Sequence, residues 1–137
     1  MNVALHGYPV STPEDVRTAL VAAKEQGVDA IYASYIGATV TAEAEIREFA
    51  SANRLPDFWA IPPPVGRGGF MSYSPRLSDN ARRGAALIDK ILRGARVADL
   101  PFEYPTQYDL EINLKSANER GIAIPQSILL RATRVIE

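Results

Sequence analysis

The chain has 137 residues, 47% of them hydrophobic and 23% charged, which are the proportions of a folded globular domain. Its formal net charge is −1, and a charge so close to zero argues against nucleic acid or an anionic membrane as a partner. There is no cysteine, so disulfide bonds, thiolate metal sites and cysteine nucleophiles are excluded.

The chain up to Gly27 predicts a strand followed by a helix. Residues 2–10 open with the apolar run VAL, which indicates the strand. Thr12 is a suitable helix N-cap, Pro13 suits the first helical position, and Gly27 suits the left-handed residue that ends many helices. Apolar side chains recur at helical spacing at Val16, Ala19, Leu20 and Ala23.

Two further strand signals alternate with a second helix. Residues 28–35 (VDAIYASY) and 57–61 (DFWAI) are rich in β-branched and aromatic side chains, as buried strands are. Thr41 is the expected N-cap of the helix between them. The inward side of that helix carries Ile46, Phe49 and Ala50. This β-α-β-α-β order with short connections predicts an α/β fold, in which helices cover a parallel sheet.

The middle of the chain predicts a flexible loop, a strand and a long amphipathic helix. The loop is residues 62–69 (PPPVGRGG), and the strand is residues 70–73. Ser78 is the expected N-cap of helix 78–93, and Gly94 is the expected terminator. The helix needs a surface to cover, because one stripe is apolar. The stripe consists of Leu77, Ala81, Ala85, Ile88 and Leu92.

The last third of the chain predicts one more strand and two short helices. Residues 108–114 alternate between apolar and polar side chains, which is typical of a strand with one solvated face. A short helix over 115–120 is expected to end at Gly121. Pro125 is expected to precede a last helix, with Leu129, Ala132 and Ile136 on one side.

Isolated polar residues form no catalytic or metal-binding pattern. His6 is the single histidine, and spacing places no carboxylate beside it. The GRGG at 66–69 lacks the lysine and the Ser/Thr of a phosphate-binding loop, and Arg67 is better explained as solvated than as an anion ligand. A solvated helix face best explains Glu43, Glu45 and Glu48. We therefore expect no catalytic residue, no metal and no cofactor.

The strand ends are better candidates for a binding site, because ligands of open parallel sheets bind beyond the carboxyl ends of the strands. One strand ends in the loop 34–37, ahead of a helix whose first amides could receive an anion. Another ends at 72–74, where tyrosine can stack on a small ligand and serine can hydrogen-bond it. The alternative is that both are ordinary strand ends. The candidate ligand-binding residues are Ser34, Tyr35, Ile36, Gly37, Ser72, Tyr73 and Ser74.

A string of motifs in the second half resembles one protein family. The motifs are Gly68-Gly69, Met71-Ser72-Tyr73, Lys90-Ile91-Leu92 with Gly94, Ala98-Asp99-Leu100-Pro101, Asn113-Leu114, Ala117, Gly121 and Ile124-Pro125. At this spacing they are similar to the C-terminal part of ABC transporter substrate-binding proteins, in the tryptophan-binding-like group of the type I periplasmic-binding fold. Residues 1–67 agree more loosely with the second lobe of that fold.

The resemblance implies two α/β lobes that close on a small solute such as an amino acid, an ABC transporter permease as partner, and no catalysis. It implies a periplasmic or membrane-anchored extracytoplasmic location, although the N-terminus has no signal-peptide pattern. By the resemblance, residues 1–75 form the core of the second, Rossmann-like lobe. Residues 76–101 form a crossover helix segment that packs on the first lobe, and residues 102–137 supply the return strand and C-terminal helices of the second. We therefore expect a truncated protein or a fragment, in which helix 78–93 is uncovered and a homodimer is another way of covering it.

The loop 35–38 (YIGA) departs from the family, because the tryptophan-binding members carry a Thr-Asp-Asn-Thr-like stretch there. Without that carboxylate the resemblance does not extend to recognition of a ligand ammonium group. An aromatic or otherwise apolar ligand stays open.

Two other functions stay open as well. The first is an effector-sensing domain of a repressor-type regulator, which shares the fold and needs a helix-turn-helix segment upstream. The second is a small Rossmann-like or flavodoxin-like enzyme. Such an enzyme needs a phosphate loop after the first strand, where residues 6–9 (HGYP) offer one glycine and a proline.

Overall fold

The computed structural model describes residues 2–137, which form a five-stranded sheet with helices packed against it. Within these residues no helix is long and apolar enough to cross a membrane. The elements in chain order are α1 (Pro13–Glu25), β1 (Ile31–Ala33), α2 (Ala38–Thr41), α3 (Glu43–Ala52), β2 (Asp57–Trp59), α4 (Pro63–Gly66), β3 (Met71–Pro75), α5 (Leu77–Leu92), a 3₁₀ turn (Val97–Asp99), β4 (Tyr108–Asn113), α6 (Leu114–Arg120), α7 (Gln126–Leu129) and β5 (Arg134–Ile136).

The strands form one sheet in the order β1-β2-β3-β4-β5. β1, β2 and β3 are parallel, β4 is antiparallel to β3, and β5 is parallel to β4. After α5 the chain returns to the edge of the sheet where β3 ended, and Pro75 pairs with Tyr108. β4 must then run in the opposite direction. The predicted α/β fold is confirmed, and its sheet is mixed rather than wholly parallel.

The predicted first strand is wrong, because residues 2–10 form no strand. Val3 and Leu5 are 73% and 87% exposed. A strand needs a neighbour that completes its hydrogen-bond ladder, and apolar composition alone does not supply one. The first strand of the sheet is β1, which among the described residues pairs only with β2.

The start of α1 is as predicted, whereas two other predicted N-caps and one predicted loop are wrong. The Thr12 hydroxyl accepts a hydrogen bond from the Asp15 amide, and the Asp15 carboxylate accepts one from the Thr12 amide, so a capping box begins α1. Thr41 instead lies at the end of α2, and Ser78 lies inside α5, which starts directly after β3. The loop 62–69 contains the short helix α4.

The last predicted helix is also wrong beyond its first turn. α7 ends at Leu129, and residues 134–136 form β5. β5 pairs with β4 over three residues, from Glu111 opposite Arg134 to Asn113 opposite Ile136. The β-branched pair at 135–136 thus finds a strand partner, which overrides the helical spacing of its apolar side chains.

The core lies between the sheet and the helices on one of its faces. Val16 of α1 and Ile46 of α3 pack there with Ala33, Trp59 and Val65. Ile112 of β4 is fully buried on the opposite face, where it pairs with Met71, so that face is covered in part. Its side chains include Tyr32 and Tyr73, which are 67% and 60% exposed.

Helix α5 stands apart from this core. None of its residues is buried, and Leu77 and Leu92 are 80% and 82% exposed. The accessible surface of the chain is 9226 Å². A compact monomer of this length exposes about 7,000 Å². The difference between these two areas is as large as the surface that one partner buries in an extensive protein interface, so the described residues leave that much surface uncovered.

A buried polar network ties α6 to the sheet. The fully buried Asp57 carboxylate accepts hydrogen bonds from the Arg120 guanidinium, the Trp59 indole and the Phe70 amide. Close packing beside it requires glycine at position 69, since a Cβ there would lie 2.9 Å from the Trp59 indole nitrogen. This network lies at the start of β2, away from the strand ends where the candidate site was expected.

Candidate functional site

The carboxyl ends of β1, β2 and β3 lie at one edge of the sheet, which we call the carboxyl edge. The loop 34–37 follows β1 at this edge. β3 extends beyond the end of β2. Ser72 pairs with Trp59, the last residue of β2, and β3 then continues through Ser74 while paired with β4. At a strand spacing of about 4.8 Å, β1 and β3 lie roughly 10 Å apart. The two predicted groups of site residues are therefore brought to the same edge, on either side of β2.

Thr39 organises the loop after β1. Its Oγ1 accepts a hydrogen bond from the Ile36 amide at 3.0 Å and lies 3.2 Å and 2.8 Å from the carbonyl oxygens of Ser34 and Ile36. Gly37 has φ of 52°, in the left-handed region that favours glycine. The loop therefore has a defined turn that leaves Ser34 and Ile36 exposed, with the Ile36 residue 72% accessible.

The Tyr35 side chain turns toward the helices instead of the solvent. Its ring packs edge-on against Trp59, with centroids 6.2 Å apart. Its hydroxyl donates a hydrogen bond to Oε2 of Glu43 at 2.9 Å. Tyr35 is half-buried, and both ends of its side chain have a partner within the lobe. The part of the loop that faces outward is formed by its neighbours, Ser34 and Ile36.

Glu43 is buried, so the expectation that it belongs to a solvated helix face is wrong. It is 5% exposed and also accepts hydrogen bonds from Arg47 Nε at 3.1 Å and from Arg67 Nη1 at 2.5 Å. The Tyr35 hydroxyl and, after it, the charge of Glu43 raise the pKa of the Arg67 guanidinium above its usual value. Arg67, expected to be solvated, keeps 59% of its side chain exposed while it binds Glu43.

The predicted residues of β3 divide between the two faces of the sheet. Ser72 and Ser74 lie on the helix-covered face and are buried, and within the described residues the Ser72 hydroxyl has no hydrogen-bond partner. Tyr73 lies on the opposite face and is 60% exposed. Its ring stacks on Tyr108 of β4, with centroids 5.2 Å apart and an interplanar angle of 15°. Of these three residues, Tyr73 presents its side chain to solvent.

An ion pair next to Tyr73 was not predicted. Arg76, directly after β3, donates from Nε and Nη2 to Oδ1 of Asp109 at 3.0 Å and 2.7 Å, and from Nη1 to Gln107 at 2.6 Å. The hydrogen bonds from Arg76 lower the pKa of the Asp109 carboxyl below its usual value. The pair joins the end of β3 to the start of β4, so it stabilises the carboxyl edge beside the stacked tyrosines.

The carboxyl edge is an open surface. Two surface depressions of the lobe lie elsewhere, one between α1 and α3 and one beside α6 and the C-terminus. No group of three His, Asp or Glu side chains that could hold a metal ion occurs in residues 2–137. A ligand bound at the carboxyl edge would therefore need a second wall to enclose it.

The comparisons with known proteins agree with this description of an α/β binding lobe. Residues 1–136 match the family described as ABC transporter substrate binding protein. The chain belongs to this family, as the motifs of its second half indicated. No curated protein matched the chain.

Solved structures match over most of this chain and over less than half of their own length. A conserved domain protein from Vibrio cholerae is 29% identical with a TM-score of 0.79, over 90% of this chain and 42% of that one. The ABC domain in complex with L-Trp from Streptococcus pneumoniae is 25% identical with a TM-score of 0.80, over 94% and 44%.

A third match is the ligand-free, open structure of a substrate-binding protein with adhesive properties from Clostridium difficile. It is 18% identical with a TM-score of 0.69, covers 93% of this chain and 42% of that one, and shows the fold alone. The described sheet and helices thus correspond to one lobe of a periplasmic-binding fold.

Proposed function

We propose that the chain is part of the solute-binding component of an ABC uptake transporter and supplies one wall of its ligand cleft. The observation that carries the proposal is the family match, which extends over residues 1–136. The position of the candidate residues supports it, because they meet at the carboxyl edge, where ligands of such sheets bind. Binding of this kind involves no catalysis.

The wall is formed by the loop 34–37 on one side and residues 72–74 on the other. The exposed side chains of Ser34 and Ile36, and the stacked Tyr73, offer a hydroxyl, an apolar surface and an aromatic ring. The loop 34–37 contains no carboxylate, so these groups suit an aromatic or apolar solute better than a cationic one. L-tryptophan is the first ligand to test, because one similar structure holds it.

The remaining parts of the proposal concern what lies outside this lobe. We propose that segment 76–101, with α5, packs on a first lobe, that an ABC permease is the protein partner, and that the protein works in an extracytoplasmic location. The absence of buried residues in α5 and the large uncovered surface support the first of these. The family supports the other two, and it favours this function over a regulator or a small enzyme.

Calorimetric titration of the 137-residue chain with L-tryptophan and other amino acids tests the proposal. If a two-lobed protein binds at about 1 μM, close to −8 kcal/mol, one wall with half of the contacts should bind at roughly 1 mM. Tyr73→Ala should weaken binding and leave the melting temperature nearly unchanged, whereas Tyr104→Ala, which removes another exposed tyrosine, should change neither. A submicromolar constant for this chain would contradict the one-wall description, and equal binding by the Tyr73 variant would contradict the site.

A further inference from the structure

Glu43 connects segments of the chain that flank the proposed ligand wall. It is the first residue of α3, where the helix dipole favours a negative charge. Its buried carboxylate accepts hydrogen bonds from the Tyr35 hydroxyl and from the guanidinium groups of Arg47 and Arg67. One carboxylate thus joins the loop after β1, the helix α3 and the segment that leads into β3.

Arg47 of α3 reinforces the link between Glu43 and Arg67. Arg47 donates to Glu43 through Nε and to the Arg67 carbonyl oxygen through Nη1, at 2.6 Å. The hydrogen bonds that Thr39 makes within the loop are local, since they bind its neighbours at positions 34 and 36. Tyr35 therefore provides the side-chain link between this loop and the body of the lobe, through its ring on Trp59 and its hydroxyl on Glu43.

We propose that Glu43 is a positioning residue of the ligand wall. By holding the Tyr35 hydroxyl, it fixes the backbone of the loop and so the outward direction of Ser34 and Ile36. It touches no ligand itself, because its carboxylate is buried behind Tyr35. The statement that the fixed loop meets a ligand rests on the proposed function, whereas the statement that Glu43 fixes the loop rests on the contacts alone.

Glu45 is a matched control on the same helix. Its side chain is 40% exposed and binds Arg17 of α1 at 2.7 Å. The hydrogen bonds from Arg17 lower the pKa of the Glu45 carboxyl. Because Glu45 binds Arg17 and makes no hydrogen bond to the loop 34–37, Glu45→Gln removes a paired carboxylate from α3 and leaves the Tyr35–Glu43 hydrogen bond in place.

Amide hydrogen exchange measured by NMR on the 137-residue chain tests the positioning. In the wild type the amides of Ile36, Thr39 and Val40 are hydrogen-bonded within the loop and its turn. Glu43→Gln leaves the Tyr35 hydroxyl only a neutral acceptor, so these amides should exchange about 10-fold faster, with little change in the sheet. Tyr35→Phe, which removes the donor and leaves the charge of Glu43 in place, should accelerate exchange at least as much, and Glu45→Gln should not.

The double variant Glu43→Gln with Tyr35→Phe should exchange no faster than Tyr35→Phe alone, because without the hydroxyl Glu43 has no hydrogen bond to the loop. Unchanged exchange at the three amides in both single variants would overturn the proposal. Acceleration spread evenly over the whole lobe would overturn it as well, because it would mark a general loss of stability.

Titration of the same variants with L-tryptophan separates the proposal from the proposed function. If the wild type binds, Glu43→Gln should raise the dissociation constant about 10-fold, while Glu45→Gln leaves it unchanged. Equal binding by the Glu43 variant despite a loosened loop would overturn the role in ligand binding. If the wild type binds neither L-tryptophan nor any other amino acid in the panel, the proposed function fails, and the exchange result alone decides whether Glu43 fixes the loop.

Discussion

Replacing Arg120 by methionine is expected to destabilise the fold by about 3–5 kcal/mol, the cost of breaking a buried ion pair from one side. The Arg120 and Asp57 side chains are 1% and 0% exposed. Without the guanidinium, the Asp57 carboxylate keeps only the N–H groups of Trp59 and Phe70. The carbonyl oxygens of Leu55 and Gly68 also lose a donor. Because domains have a net stability of about 5–15 kcal/mol, the loss is a large share of the total.

Urea denaturation measures this loss, and Trp59, the single tryptophan, is a fluorescent probe beside the pair. Arg82→Met is the control, because its side chain is 80% exposed and 3.9 Å from Asp79, and it should change stability by less than about 0.5 kcal/mol. Combining Arg120→Met with Asp57→Leu should cost less than the sum of the single changes. If the free energy of unfolding of Arg120→Met is within about 1 kcal/mol of the wild type, the buried ion pair with Asp57 is not a major source of stability.

Three more predictions concern the carboxyl edge and α5. The pKa of Asp109 is lower in the folded than in the unfolded chain, so the stability that its pair with Arg76 provides is complete above about pH 5 and is lost as the pH falls below about 4. Asp109→Asn should therefore flatten the loss of stability between pH 5 and pH 2, and an unchanged slope would contradict the pairing. Light scattering should show a mass that rises with protein concentration, because one chain covers the exposed α5 of another. The double variant Ile88→Lys with Leu92→Lys should restore the monomer. A wild-type monomer that binds no hydrophobic dye would show that α5 is already covered. Ser72→Ala should leave stability unchanged or raise it by about 1 kcal/mol, since the buried hydroxyl has no partner within residues 2–137, and a clear loss would reveal one.

The runs predicted as strands at 28–35, 57–61, 70–73 and 108–114 correspond to β1 to β4, and some helix ends set by neighbouring residues were predicted correctly too. The N-cap at Thr12 and the left-handed glycines Gly27 and Gly121 depend on a few adjacent positions, and all three were confirmed. Strands depend on partners that are distant in the chain. Residues 2–10 have strand composition without a neighbour, while residues 134–136 became a strand because β4 lies beside them.

The sequence predicted where the candidate site lies, but not which contacts its side chains make. The rule for parallel sheets located the carboxyl edge, and the structure brings both predicted groups to it. Which side chains face outward could not be read from spacing. Tyr35 is held by a glutamate 8 positions away, and Glu43 by an arginine 24 positions away. Such pairs leave no periodic signal, so Glu43 could not be told apart from its solvated neighbours on α3.

The most direct test of the ligand wall is NMR mapping of L-tryptophan and other amino acids on the 137-residue chain. A bound solute should shift the amide resonances of residues 34–37 and 72–74, at the carboxyl edge, with an affinity of roughly 1 mM. Ser34, Ile36 and Tyr73, whose side chains face solvent, should show the largest changes. Shifts confined to the depression between α1 and α3, or no shifts at 10 times the expected dissociation constant of roughly 1 mM, would contradict the proposed ligand wall.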